Sequence, residues 1–140
     1  MKILAPDMLS ELVVHLAIRA YDLESTLKFY TDVIGATSFR TMDDRITLGL
    51  GNLQLVCHLT MKIDSTKPKF YPNHFGFTFR NIDAYQQYYD RIHTSHAKHL
   101  FKVDNIRFKA RDDQHRTFIM LDPSDNFIEV KCYAKTSNYF

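Results

Sequence analysis

The sequence predicts an α+β fold of two tandem βαβββ modules forming a cupped mixed sheet with helices on its outer face. Three observations carry this. Val14-His15-Leu16-Ala17-Ile18 recurs 59 positions later as Asn73-His74-Phe75-Gly76-Phe77, and the same offset carries Asp22-Leu23 onto Asn81-Ile82 and Phe29-Tyr30 onto Tyr88-Tyr89. Leu53-Gln54-Leu55-Val56-Cys57 recurs 75 positions later as Ile128-Glu129-Val130-Lys131-Cys132, so the second copy has the longer middle. In both copies the apolar pattern runs from strand alternation to helical spacing and back to alternation.

In the first copy, Glu11–Arg19 alternates as a strand does. Asp22 is a good N-cap, Leu23, Leu27, Tyr30, Val33 and Ile34 recur at helical spacing, and Gly35 stands where a helix ends. Ala36–Met42, Arg45–Leu50 and Leu53–Leu59 follow as strands, with turns at Asp43-Asp44 and Gly51-Asn52. Residues 60–72 form the linker. In the second copy, strand Asn73–Arg80 precedes a helix capped by Asn81 and running from Ile82 to about Ala97. Strands near Leu100–Lys109, Arg116–Leu121 and Phe127–Tyr133 complete it, the last two joined by the turn Asp122-Pro123-Ser124-Asp125-Asn126. Residues 1–140 therefore read as one domain, with module one over about 11–59 and module two over about 73–133.

Composition narrows the function classes. Hydrophobic residues make up 45% of the 140, enough for a core, and the formal charge is only +2. Without a basic run, nucleic acid is not an expected partner. The apolar runs are too short to span a bilayer, and Met1–Pro6 lacks the apolar stretch of a signal peptide, so a cytoplasmic protein is expected. Cys57 and Cys132 have no CxxC spacing and read as buried thiols.

Alternation also sorts the strand faces. Val14, Leu16 and Ile18 point to the helices, as do Phe75, Phe77 and Phe79, and Ile128, Val130 and Cys132. On the opposite face lie His15, Ala17 and Arg19; His74, Gly76 and Thr78; Glu129, Lys131 and Tyr133; and Gln54, Val56 and His58. Four polar residues at repeat-related positions (His15, Gln54, His74 and Glu129) thus look away from the helices. Two imidazoles and a carboxylate suit Fe(II), Mn(II), Ni(II), Co(II) or Zn(II) and leave coordination positions open. His58 and Tyr133, each four residues beyond Gln54 or Glu129, stay on that face as candidate acid–base groups. Gln54, Thr78 and Lys131 are candidate substrate contacts. His93, His96 and His99 drift around the second helix and read as a solvated helix end, while Tyr85, Tyr88 and Tyr89 read as helix packing.

His15-Leu16-Ala17-Ile18, Asp22-Leu23, Phe29-Tyr30 and Gly35 resemble the opening of the vicinal oxygen chelate superfamily. That superfamily includes glyoxalase I, methylmalonyl-CoA epimerase, fosfomycin and bleomycin resistance proteins and extradiol dioxygenases. Leu121-Asp122-Pro123-Ser124-Asp125-Asn126-Phe127-Ile128-Glu129 resembles its closing signature, FxDPxGNxxE, with Asp125 in place of glycine. The whole pattern is most similar to small extradiol-dioxygenase-like members. The resemblance implies His15, His74 and Glu129 as metal ligands, Fe(II) as the favoured ion, a small-molecule substrate with vicinal oxygens, and a homodimer. Ile119 stands where ring-cleaving members carry a tyrosine, and Gln54 where glyoxalase I commonly has a glutamate base, so those partners do not transfer. The function expected is metal-dependent, extradiol-dioxygenase-like chemistry. The alternatives are a glyoxalase- or epimerase-type lyase or isomerase, and a protein that sequesters a drug or metabolite.

Overall fold

Each half of the chain builds one four-stranded mixed sheet from the same sequence of elements. The computed structural model describes residues 6–62 and 69–139. It divides into two compact units, Met1–Lys62 and Ile63–Phe140. Part of the expected linker, residues 63–68, lies outside the described residues.

The first unit opens with a short helix, α1 (Pro6–Leu9), that the sequence pattern did not announce. Strand β1 (Val14–Ala20) starts later than the alternation suggested. Asp22 then caps α2 (Leu23–Lys28) by accepting from the Ser25 amide at 2.7 Å. The same rod continues as a wider π turn over Phe29–Ile34 and stops at Gly35, whose φ of 88° is the left-handed conformation that glycine adopts without penalty. Strands β2 (Thr37–Thr41), β3 (Arg45–Leu50) and β4 (Leu53–Leu59) follow. The order in the sheet is β1-β4-β3-β2, with β1 and β4 parallel and the other pairs antiparallel. Phe29, Tyr30, Ile34, Ile46, Leu48, Leu55 and Cys57 form the core.

The second unit repeats this plan. Strand β5 (His74–Thr78) leads to α3 (Ile82–Ser95), capped by Asn81, whose side-chain oxygen accepts from the Asp83 and Ala84 amides. After a single 3-10 turn, Ala97–His99, come β6 (Leu100–Arg107), β7 (His115–Leu121) and β8 (Phe127–Tyr133). The order β5-β8-β7-β6 reproduces that of the first sheet, again with the first and last strands parallel. Phe118, Met120, Ile128, Val130 and Cys132 are buried with Tyr85 and Ile92 of α3, as alternation required. Among them sits a polar cluster: the Tyr85 hydroxyl donates to Asp104 at 2.6 Å, and Arg116 bridges Asp104 and Gln86. Burial, reinforced by that hydrogen bond, pushes the Tyr85 phenol far above its ordinary pKa.

One difference between the copies matters for the site. In the first sheet His15 lies opposite Gln54, so the repeat predicts His74 opposite Glu129. Instead His74 lies opposite Phe127, and Glu129 lies opposite Gly76. A displacement of two residues is one full side-chain period, so Glu129 keeps the face it shares with His74. Gly76 permits this register: a Cβ there would stand 1.8 Å from the Glu129 carbonyl oxygen.

The turn between β7 and β8 explains the signature residue that differs. Asp122 Oδ1 accepts from the Ser124 and Asn126 amides, both at 2.8 Å. Asp125 takes φ of 62°, which accounts for glycine in the family pattern; aspartate is among the few other residues that visit this region readily. No helix among the described residues is long and apolar enough to cross a membrane.

Candidate functional site

The side chains that pattern reading placed on the open faces separate into one group in each unit. In the second unit, β5 and β8 present His74 and Glu129 side by side, with His74 Nε2 at 3.3 Å from Glu129 Oε2. Both are largely enclosed, with side-chain exposures of 24% and 12%. Their other atoms are held. His74 Nδ1 donates to the Phe70 carbonyl oxygen at 3.2 Å, which turns Nε2 toward the carboxylate. The Phe70 ring stacks on the imidazole at 4.1 Å and 14°. Thr117, 1% exposed, donates from Oγ1 to Glu129 Oε1 at 2.9 Å.

Phe70 sits at the end of the expected linker, yet it packs with Ile119 and Phe127 as part of this unit's core. These three form an apolar wall on the same sheet face, and Ile119 lies directly opposite Glu129 in register. Ile119 therefore sets a buried aliphatic side chain against the carboxylate.

Beyond Glu129 the same face opens into a cavity of about 280 Å3. Tyr71, His74, Arg107, His115, Lys131 and Tyr133 contribute to its lining, with Glu129 at one side. His115 is buried; its Nδ1 donates to the Asp113 carbonyl oxygen at 2.9 Å, and its ring packs against Tyr133 at 5.1 Å. Lys131 Nζ stands 5.3 Å from the centre of the Tyr133 ring, a cation–π contact. Thr78 pairs with Lys131 at the exposed end of β5.

In the first unit, His15 and Gln54 are adjacent across β1 and β4, with His15 Nδ1 donating to Gln54 Oε1 at 2.8 Å. Gln54 thereby orients the imidazole and leaves Nε2 as its acceptor. His58, four residues further along β4, is exposed, and Val56 between them is buried at 7%.

Among the described residues, no group of three or more His, Cys, Asp or Glu side chains is gathered closely enough to hold a metal together. The donors present are nonetheless of the right kind for a first-row divalent ion. An imidazole nitrogen and a carboxylate oxygen converge, each with its far side tied to a carbonyl or a hydroxyl. This is the outer arrangement that metal-binding histidines and carboxylates characteristically have. His93, His96 and His99 are not part of it. His93 is exposed beside Tyr89, and burial, then Lys98 and His96, lowers the His99 pKa.

Pattern reading missed Phe70, Tyr71, Thr117, Arg107 and His115. Thr117 and His115 alternate on β7 in the same phase as Ile119, so the face they share was readable from the sequence. The roles of Phe70 and Tyr71 depend on how the segment before β5 folds back, which no local pattern encodes.

The sequence model of the Glyoxalase/Bleomycin resistance protein/Dioxygenase superfamily matches residues 12–130. The chain is similar to the solved structure of a glyoxalase/bleomycin resistance protein/dioxygenase from Alicyclobacillus acidocaldarius. The TM-score is 0.83 at 35% identity, over 91% of this chain and 96% of that one. It shares its fold with a lactoylglutathione lyase from Agrobacterium tumefaciens, with a TM-score of 0.65, 17% identity and coverage of 86% and 92%. A fosfomycin resistance protein from Listeria monocytogenes is alike at a TM-score of 0.63, 18% identity and coverage of 84% and 89%. None of the curated proteins matches the chain.

Proposed function

The chain belongs to the glyoxalase/bleomycin resistance protein/dioxygenase superfamily, and from that premise we propose that it is a metal-dependent enzyme acting on a small oxygenated organic molecule. The proposed ligands are His15, His74 and Glu129, with Fe(II) favoured and Mn(II), Ni(II), Co(II) or Zn(II) as substitutes. The observation that carries this reading is the 3.3 Å approach of His74 Nε2 to Glu129 Oε2. Two oriented donors facing each other on one side of a sheet are what a metal ligand pair requires. His15 is assigned as the third ligand because the repeat relates it to His74, and its Nδ1 bond to Gln54 leaves the Nε2 lone pair for a metal.

When bound, the metal supplies Lewis acidity toward two vicinal substrate oxygens and, for Fe(II), open positions for dioxygen. The chain's own residues do the rest. Phe70 and Thr117 hold the imidazole and the carboxylate in place. Ile119 and Phe127 keep water from that side. Tyr133, with its ring against His115, offers a hydroxyl to a substrate oxygen, and His58 is the corresponding candidate in the first unit. Thr78, Lys131 and Gln54 are the proposed substrate contacts, and a second copy of the chain is the proposed partner in a homodimer.

The leading reaction is extradiol-dioxygenase-like. Ile119 opposite Glu129 favours a second reading, a lyase or isomerase working through an enolate, because it removes the tyrosine expected of ring cleavage. The test is anaerobic loading with Fe(II) or Mn(II) followed by elemental analysis of wild type, His15→Ala and Glu129→Ala. Stoichiometric metal in wild type and its loss in both variants is the expected result. A wild type that takes up no metal would sink the proposal and leave a sequestering protein as the better reading. Oxygen uptake with a panel of catechols then separates the two reactions, and no uptake by the metal-loaded protein points to the isomerase.

A further inference from the structure

We propose that the cavity of the second unit takes a small planar carboxylate, with Arg107 and Lys131 as the groups that recognise its charged end. This rests on the metal reading only for orientation, since the body of the molecule would then direct its oxygens toward His74 and Glu129.

The argument starts from charge. Arg107 enters from β6, where it lies opposite His115, and Lys131 from β8, where it lies opposite Thr117. Both are half-buried and both line the cavity. Among the described residues neither forms an ion pair. The Arg107 guanidinium has only the Tyr71 hydroxyl, at 3.5 Å, and the Phe108 ring at 5.2 Å. The Lys131 ammonium has only the Tyr133 ring.

The carboxylates in the same lining are already engaged. Arg111 grips Asp113 with two hydrogen bonds, at 3.0 and 3.2 Å. Glu129 is held by Thr117 and faces His74. The opposite face of the same sheet shows the contrast: there Arg116 is fully matched by Asp104 and Gln86. Cations withdrawn from water without a counter-charge carry a desolvation cost that an incoming anion offsets. Arg107 can meet a carboxylate with two parallel N–H donors, and Lys131 adds a point charge.

Shape and surface complete the case. The cavity lies at the small end of ligand sites. Its walls carry the rings of Tyr71, Phe108, His115 and Tyr133, with Phe108 and His115 centroids 5.6 Å apart. Aromatic walls beside two unpaired cations suit a flat body with one anionic substituent better than a neutral or cationic ligand.

The experiment is an NMR titration of the metal-free full chain with benzoate and with benzamide, its uncharged counterpart. Saturable shifts centred on Arg107, Lys131 and Tyr133 are expected with benzoate, weakened by about 0.5 M salt. Benzamide is expected to bind at least about tenfold more weakly. Arg107→Gln and Lys131→Gln should each weaken benzoate about tenfold, while Arg107→Lys retains part of the preference. Equal affinity for benzoate and benzamide, no saturable binding, or variants that bind benzoate as wild type does would overturn the inference. Mn(II) binding measured on the same variants keeps the two readings apart. Preserved benzoate preference without Mn(II) binding overturns the metal reading alone, and Mn(II) binding without benzoate preference overturns this one alone.

Discussion

Replacing Thr117 by valine tests whether Glu129 is held ready for a metal or merely rests against the sheet. Thr117 is 1% exposed and spends its hydroxyl on Glu129 Oε1 at 2.9 Å. Valine keeps the branched shape and removes the donor. A hydrogen bond to a charged group contributes about 1.5–3 kcal/mol, and the carboxylate here is only 12% exposed, so water replaces the hydroxyl poorly. If that bond orients a metal ligand, its loss should weaken Mn(II) binding by roughly 10- to 100-fold, the range typical of outer-shell partners. Urea unfolding should show a stability loss of about 1–3 kcal/mol for the same reason. Thr117→Ser is the control: it removes a methyl group, so some stability is lost, but the hydroxyl remains and metal affinity should stay near wild type. Mn(II) affinity is measured by competition with a fluorescent chelator. Thr117→Val within about twofold of wild type, or Thr117→Ser as weak as Thr117→Val, would refute the reasoning.

Gly76→Ala should cost about 3 kcal/mol or more in urea unfolding, because its Cβ would be driven into the Glu129 carbonyl and β5 would have to separate from β8; wild-type stability would show the register to be softer than described. Asp125→Gly should gain up to about 1 kcal/mol and Asp125→Val should lose about 1–2 kcal/mol, both read from thermal unfolding, since φ there is 62°. The Asp22 carboxyl is held below its ordinary pKa, chiefly by its hydrogen bonds from Ser25. A carboxyl depressed in the folded state contributes stability above its unfolded pKa, and loses that contribution as pH falls through the folded value. Asp22→Asn should therefore flatten the acid limb of the stability–pH curve below about pH 4 and leave the neutral region nearly unchanged. An acid limb identical to wild type would rule this out.

The repeat made most of the fold legible. It carried the element order, the caps at Asp22 and Asn81, the glycine stop at Gly35 and three strands with their observed bounds, Arg45–Leu50, Leu53–Leu59 and Phe127–Tyr133. These are local matters: period, capping chemistry and turn residues act over a few positions. Strands with ragged ends fared less well. The strands expected over Asn73–Arg80 and Leu100–Lys109 are paired only over His74–Thr78 and Leu100–Arg107, because pairing needs a partner strand of matching length.

What the sequence by itself determined was which side of each strand is polar. His74, Glu129, Lys131 and Tyr133 could be placed on one face because side chains alternate whatever the strand pairs with. The tertiary structure alone decided how those strands slide past one another. The two-residue difference in register between the sheets puts Gly76, not His74, opposite Glu129, and the absent side chain there lets the backbones meet. It also decided that Phe70 closes over His74 and that Arg107 and His115 reach the cavity beside Lys131. Register and chain reversal follow from packing between residues distant in sequence, and that information resides in no single strand.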